Sequence, residues 1–438
     1  MTSQNPILSL LERRACARER GVYSCCSANE YVLRAALRRA KAADTVVLVE
    51  ATANQVNQNG GYTGMTPSGF RKFLMRLAES EEMPAGKVLC GGDHLGPLTW
   101  QHLPEAEAMA NAEELIRAYV LAGFSKIHID TSMRVADDDP AQPLPDRVIA
   151  RRGARLCRTA EDAFAEYVRE HPQAPEPVYV VGSEVPVPGG AKEKEDRVAV
   201  TSPAACEATL AEFESAFAGI GLTEAWRRVV ALVVQPGVEF ADESVIAYDR
   251  QAAQKLMTCL KKHPGLVFEG HSTDYQPKGC LRQMAEDGIA ILKVGPALTF
   301  TLREGLFALE RIEQELYGVK DFPLSGFRAA LEQAMLEDSS QWSKYYHGTM
   351  TQKRYARAFS YSDRSRYYLT NKRVRAAMNM LLKNLDTTGI PMALLSQYMP
   401  TQYARVHSGE LTLRASDLLI DHVGDCIDDY LYAVLNSE

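Results

Sequence analysis

The stretch Lys126-Ile127-His128-Ile129-Asp130 decides the fold. Successive side chains of a β-strand point to opposite faces, so Lys126, His128 and Asp130 share one face and the two isoleucines the other. The stretch is one of eight short segments rich in branched apolar residues, at 21–24, 46–50, 87–91, 126–130, 178–184, 230–235, 266–269 and 290–294. Near-continuous apolar runs of this length suit parallel strands covered on both faces, and each is followed by a helical pattern. Eight βα units in a row predict a closed (β/α)8 TIM barrel, with an open doubly wound sheet as the structural alternative. In a barrel the isoleucines face the helices. Lys126, His128 and Asp130 then point inward, where burying them is costly unless they pair or bind something.

Helix starts fit this frame. Ser27 with Glu30 reads as a capping box, and Thr66-Pro67 and Ser202-Pro203 as N-caps followed by a first-turn proline. Met109, Ala112, Ile116, Tyr119 and Val120 share one helical face, and Gly123 follows as a stop. Two loops, 134–151 and 186–198, follow strands and so belong to the C-terminal rim, where barrels build their sites. From about Pro323 the strand rhythm ends. The expected division is a barrel over 1–322 and a mostly helical region over 323–438 that packs on it.

Composition excludes several classes. The 438 residues include 49 basic and 56 acidic side chains, a net charge of −7, which gives no global reason to hold nucleic acid or an anionic membrane. That balance also argues against a nucleic-acid reading of the aromatic and basic stretch 361–368. A lid or subunit contact that brings Arg364 to the barrel mouth is expected there, with a purely structural clasp as the alternative. The first residues lack the layout of a signal peptide and no apolar run approaches a membrane span. Nine cysteines without a CxxC pair suit free thiols in a reducing cytoplasm.

The polar residues fall at strand ends. Strand three runs into Gly91-Gly92-Asp93-His94, strand five into Glu184, strand six into Gln235 and strand seven into Glu269-Gly270-His271, while strand eight carries Lys293. Taken singly, each histidine is more often a hydrogen-bonded structural group, and each lysine a partner for a carboxylate. Their joint arrival at one rim points to a site. A Schiff-base lysine at position 126 or 293 is opposed by Asp130 and Glu269, which favour the charged form.

These residues also carry a resemblance. Cys90-Gly-Gly-Asp93-His94 resembles the Asp-His motif of class II fructose- and tagatose-bisphosphate aldolases, and Val267-Phe-Glu-Gly-His271-Ser272 the later strand that supplies a metal histidine. The strings Gly92-Asp-His-Leu-Gly-Pro97, Glu184-Val-Pro-Val-Pro-Gly-Gly190, Glu269-Gly-His-Ser-Thr-Asp-Tyr-Gln276 and Tyr361-Ser-Asp-Arg-Ser-Arg-Tyr-Tyr368 are similar to the tagatose-bisphosphate aldolase accessory, or Z, subunit family. That family is also labelled tagatose-6-phosphate kinase.

The resemblance implies an accessory partner of a catalytic class II aldolase subunit, with a homo-oligomer also compatible. It implies a divalent ion (Zn, Mn, Ni or Mg) held by His94, His271 and Gln235. Asp93, Glu184 and His128 become the catalytic candidates, and Lys126, Asp130, Ser272, Lys293 and Arg364 the candidates for contacting a ketose or ketose phosphate. The alternative is a metal-dependent enzyme for aldol cleavage or C4 epimerisation. Two departures stand out: Gln235 replaces a metal histidine, and Gly295-Pro-Ala-Leu-Thr299 lacks the Asn and Asp used near a substrate phosphate. Backbone amides at Gly270 and Gly295 are left to receive one. The kinase label finds no GxxxxGK[ST] loop; the nearest stretch, 59–64, lacks the lysine and is expected to be a flexible loop near the substrate.

Overall fold

The computed structural model describes residues 4–14, 19–186, 198–319 and 322–436. Eight parallel strands close into a barrel in sequence order: β1 (Val22–Cys25), β2 (Val47–Thr52), β3 (Val88–Leu95), β4 (Lys126–Ile129), β5 (Val178–Val181), β6 (Val229–Val234), β7 (Val267–Gly270) and β8 (Ile289–Val294). Strand β8 pairs back onto β1, from Val22 opposite Ile291 to Cys25 opposite Val294, which excludes the open sheet. Thr66 and Ser202 cap the helices Pro67–Ser80 and Pro203–Gly219 through their side-chain oxygens, with proline in the first turn of each. The first crossover helix, Glu30–Ala42, corrects the expected capping box. It starts two residues later, and Asn29 caps it by accepting from the Tyr31 N–H, while the Ser27 hydroxyl accepts from the Asn29 N–H outside the helix.

The barrel interior has two storeys. The helix Pro6–Arg13 covers the N-terminal end, and its Ile7, Leu10 and Leu11 join Val22, Leu48, Val178 and Ile291 in an apolar cluster inside the strands. Above that cluster the inward positions are charged. Ile127 and Ile129 pack outward into the helix-facing core, while Lys126, His128 and Asp130 are fully buried within.

A bulge shapes the rim. Gly91 and Gly92 of β3 pair with Lys126 and Ile127, but the next pairing is Leu95 with Ile129, so β3 carries one extra residue there. His94 sits in that bulge with φ of +48°, a left-handed conformation uncommon for a residue with a side chain. Bulges re-aim side chains, and this one lets consecutive residues Asp93 and His94 both serve the interior.

The C-terminal region is clamped to the barrel. Helix Ala415–Val434 packs on Pro296–Leu316, Glu30–Ala42 and Lys278–Asp287, and its Tyr430 hydroxyl donates to the Thr273 carbonyl at 2.8 Å. Stretch 361–368 crosses the mouth as a turn and the short helix Arg364–Tyr368. Asp363 pins it, pairing with Arg303 at 3.1 Å and accepting from the Thr299 hydroxyl at 2.6 Å. Among the described residues no helix is long and apolar enough to cross a membrane.

Candidate active site

Two lysines and three carboxylates form the floor of the site. Lys126 Nζ lies 2.7 Å from both Glu50 Oε1 and Glu269 Oε2. Lys293 Nζ contacts Asp93 Oδ1, Glu50 Oε2 at 3.0 Å and Glu269 Oε1 at 3.4 Å. Charges removed from water this completely are tolerable only when they neutralise one another. Burial works against the ammonium of Lys293, yet Asp93, Glu269 and Glu50 outweigh it and raise its pKa well above the usual lysine value. Glu50 is the lattice member that sequence reading missed as a site residue, although it ends the second apolar run. Gly91 makes room for it: a Cβ there would stand 2.8 Å from Glu50 Cγ and 3.3 Å from Lys126 Cβ.

Three histidines stand on this floor, each turned by a carboxylate. His128 Nδ1 is 2.8 Å from Asp93 Oδ1, His94 Nδ1 is 2.8 Å from Asp130 Oδ2, and His271 Nε2 is 2.9 Å from Glu269 Oε1. Burial opposes ionisation of Asp93, but His94, Lys293 and His128 hold its carboxyl well below the ordinary range. His128 Nδ1 also accepts from the His94 backbone N–H at 3.1 Å, and its Nε2 is buried without a hydrogen-bond partner. The three ring centroids are 4.9 to 5.1 Å apart. Imidazoles that bind a metal through one ring nitrogen commonly turn the other to a carboxylate in this way.

Asp93, His128, Glu269 and His271 each bring a ligand-type atom within 4.8 Å of the others, so the buried cluster could hold a metal ion. The orphaned Nε2 of His128 fits such an ion. Lys293 and Lys126 share the carboxylates with it. His271 is suited to the neutral form that ligation needs, since burial first and Lys293 and His94 next lower its pKa to about 3. His94 differs: burial opposes its charged form, but Asp93 and Asp130 overcome this and raise its pKa.

The structure brings Asp93, His128, His94, His271, Lys126, Lys293 and Asp130 into one network, with Ser272 on the pocket wall above it. Asp130 orients His94 and is itself held by Ser132, whose hydroxyl donates at 2.6 Å. Three candidates lie elsewhere. Gln235 turns its amide oxygen into its own loop, accepting from the Gly237 and Val238 N–H groups. Glu184 is exposed beyond the end of β5 and accepts from the Thr201 hydroxyl. The rest of its glycine-rich loop, 187–197, lies outside the described residues. Arg364 is buried against Tyr345, its guanidinium carbon 3.3 Å from the ring centroid, and it is Arg366 and Tyr367 that reach the pocket. On the short 3-10 helix Arg364–Tyr368, with three residues per turn, the two arginines leave on different sides, and it is Arg366 that faces the pocket.

The expected phosphate position at the start of helix Pro296–Leu316 is also filled. Asp274 accepts from the Gly295 and Ala297 N–H groups at 3.0 and 2.8 Å. Burial raises this carboxyl to about 6 even though those amide hydrogen bonds pull it down.

The family description D-tagatose-1,6-bisphosphate aldolase subunit GatZ/KbaZ-like matches residues 7–435. The chain belongs to this GatZ/KbaZ-like family. A solved structure described as a probable tagatose 6 phosphate kinase from Sinorhizobium meliloti 1021 is 45% identical, covers 94% of this chain and 100% of its own, and superposes with a TM-score of 0.84. Two remoter structures match the same region. One is the fructuronate-tagaturonate epimerase UxaE from Cohnella laeviribosi, at 11% identity, 94% and 81% coverage and a TM-score of 0.46. The other is described as a putative fructose-1,6-biphosphate aldolase from Coccidioides immitis, at 12% identity, 91% and 96% coverage and a TM-score of 0.38. Membership in the GatZ/KbaZ-like family places the chain in carbohydrate metabolism, with the aldolase accessory subunits.

Proposed function

We propose that this GatZ/KbaZ-like chain is a cytoplasmic accessory subunit that binds a separate catalytic class II aldolase and sustains its cleavage of tagatose 1,6-bisphosphate. The observation that carries the reading is the family match, which spans barrel and C-terminal region alike. The geometry supports it: Gln235 faces its own loop, and the amide position at Gly295 is filled by Asp274. Co-expression of the two chains tests the proposal. A stable complex is expected, with faster cleavage of tagatose 1,6-bisphosphate than the catalytic subunit alone. A catalytic subunit equally active and long-lived without its partner refutes it.

A second reading is favoured by one observation, the buried and unpartnered Nε2 of His128 among three carboxylate-oriented imidazoles. Asp93, His128, Glu269 and His271 would hold a divalent ion there, and a mixed imidazole and carboxylate set suits Zn, Mn or Ni better than Mg. Such an ion supplies Lewis-acid polarisation of a ketose carbonyl or hydroxyl. Asp93 Oδ1 lies 2.8 Å from His128 Nδ1, within proton-transfer distance, and Ser272 lines the approach to a bound sugar. Turnover of a ketose phosphate by the isolated, metal-loaded chain, lost in His271→Ala, favours this reading; no turnover with any of the metals removes it.

Phosphoryl transfer from ATP has little support. The loop 59–64 uses its amides internally: Asn59 and Gly61 donate to Asn57 Oδ1, Gly60 to the Asn57 carbonyl, and Tyr62 to the Asn54 carbonyl. A phosphate cradle needs those donors free.

A further inference from the structure

Among the described residues, Arg364 and Arg366 form no ion pair with a carboxylate. Asp363, the carboxylate between the clasp and the barrel, is taken by Arg303, by the Thr299 hydroxyl and by the Ser365 hydroxyl. Arg364 is 3% exposed, and its Nε and Nη2 have no hydrogen-bond partner. Arg366 donates only to uncharged groups: the Ser362 and Asp363 carbonyls and the Tyr367 hydroxyl. Burying a cation without a counter-ion is costly, and two neighbours repel as well. The aromatic faces of Tyr345 and Tyr367, 3.3 and 4.5 Å from the respective guanidinium carbons, recover only part of that cost.

Position turns this imbalance into function. Arg366 and Tyr367 line the pocket that also exposes His94, His271 and Lys293, so the uncompensated charge faces the cavity in which a ligand would lie. Lys293 is neutralised by Glu50, Glu269 and Asp93 beneath it. The barrel-side amides at Gly295 and Ala297 hold Asp274 and offer an incoming anion no place. Among the described residues, an anionic group entering the mouth meets one cation without a carboxylate partner, Arg366 on the roof.

We propose that Arg366 is the anion-binding residue of the barrel mouth, receiving the phosphate-monoester end of a ketose phosphate whose polyol end points to His94 and His271. Arg364, behind Tyr367, is a positioning residue: it lends the roof a second positive charge and stacks on Tyr345. A guanidinium suits the task because its planar fork can bind two phosphate oxygens at once. The inference rests on the proposal above only in taking the mouth as a sugar-phosphate pocket.

Calorimetric titration of the full chain with tagatose, tagatose 6-phosphate and inorganic phosphate tests it. The phosphorylated sugar is expected to bind at least about tenfold tighter than the free sugar, with inorganic phosphate competing. Arg366→Met should abolish that preference. Arg366→Lys, which keeps the charge and loses the fork, should fall between. Equal affinity of the wild-type chain for the two sugars overturns the proposal, and so does a folded Arg366→Met protein that keeps the preference. The sugar comparison needs only the wild-type chain, so it decides even if the methionine variant does not fold. Stimulation of an aldolase partner is a separate readout: its failure with the preference intact counts against the accessory role alone.

Discussion

Asp274→Asn should make the protein more stable, and by an amount that depends on pH. The asparagine keeps an oxygen that can accept from Gly295 and Ala297, so the substitution removes the charge and little else. Burial holds the Asp274 carboxyl at about 6 in the folded chain, against about 3.9 in an unfolded one. A carboxyl whose pKa is raised by folding binds its proton more tightly in the native state. Its stabilising contribution is therefore complete below about pH 4 and is lost as pH rises through 6. The whole span corresponds to about 3 kcal/mol, of which about 1.4 kcal/mol falls between pH 5 and pH 8. Asparagine does not titrate. Relative to wild type, the variant should gain about 1.4 kcal/mol over that interval, on the order of 2 °C in the thermal midpoint of a chain this long. Thermal unfolding of both proteins at pH 5, 6, 7 and 8 measures it. Midpoints that run parallel across the series would show that Asp274 is ionised at no cost, and the assignment of a strained internal anion would be wrong.

Other expectations follow from the same geometry. Lys126→Met leaves Glu50 and Glu269 facing each other without their shared ammonium, and should cost about 3–5 kcal/mol in urea unfolding; adding Glu50→Gln should recover part of it, and a single variant as stable as wild type would contradict the lattice. If the cluster holds an ion, His128→Ala should lower the zinc or manganese retained after dialysis while Gln235→Ala should not, as read by elemental analysis. Loss of metal in Gln235→Ala alone would restore the ligand set suggested by resemblance. Gly96→Ala would push a Cβ to 1.7 Å from the Asp130 carbonyl oxygen, so the strand ends carrying His94 and Asp130 must separate. Insoluble or strongly destabilised protein is expected in expression trials, and a variant of normal thermal midpoint would refute the close approach.

Some of the site was legible because its signal was local. The alternation in 126–130 placed Lys126, His128 and Asp130 inward, and the isoleucines that face the helices confirm the direction. Glu50 was less visible, since an acidic residue ending an apolar run looks like any strand terminus until a lysine from β4 and another from β8 are found beside it. Gln235 and Arg364 show the opposite limit. Their sequence neighbourhoods are distinctive, but a turn after β6 aims one into its own backbone and the clasp buries the other on Tyr345.

By itself the sequence determined the number of βα units, their order and the family, because repeating apolar periods and long distinctive strings are properties of the chain alone. Only the tertiary structure decided which charges neutralise which. The bulge that turns His94 inward, the lysines shared between strands β2, β4, β7 and β8, and the carboxylate seated on the amides of Gly295 and Ala297 all join residues tens to hundreds of positions apart. Such pairings depend on barrel closure, which sets distances that no local pattern encodes.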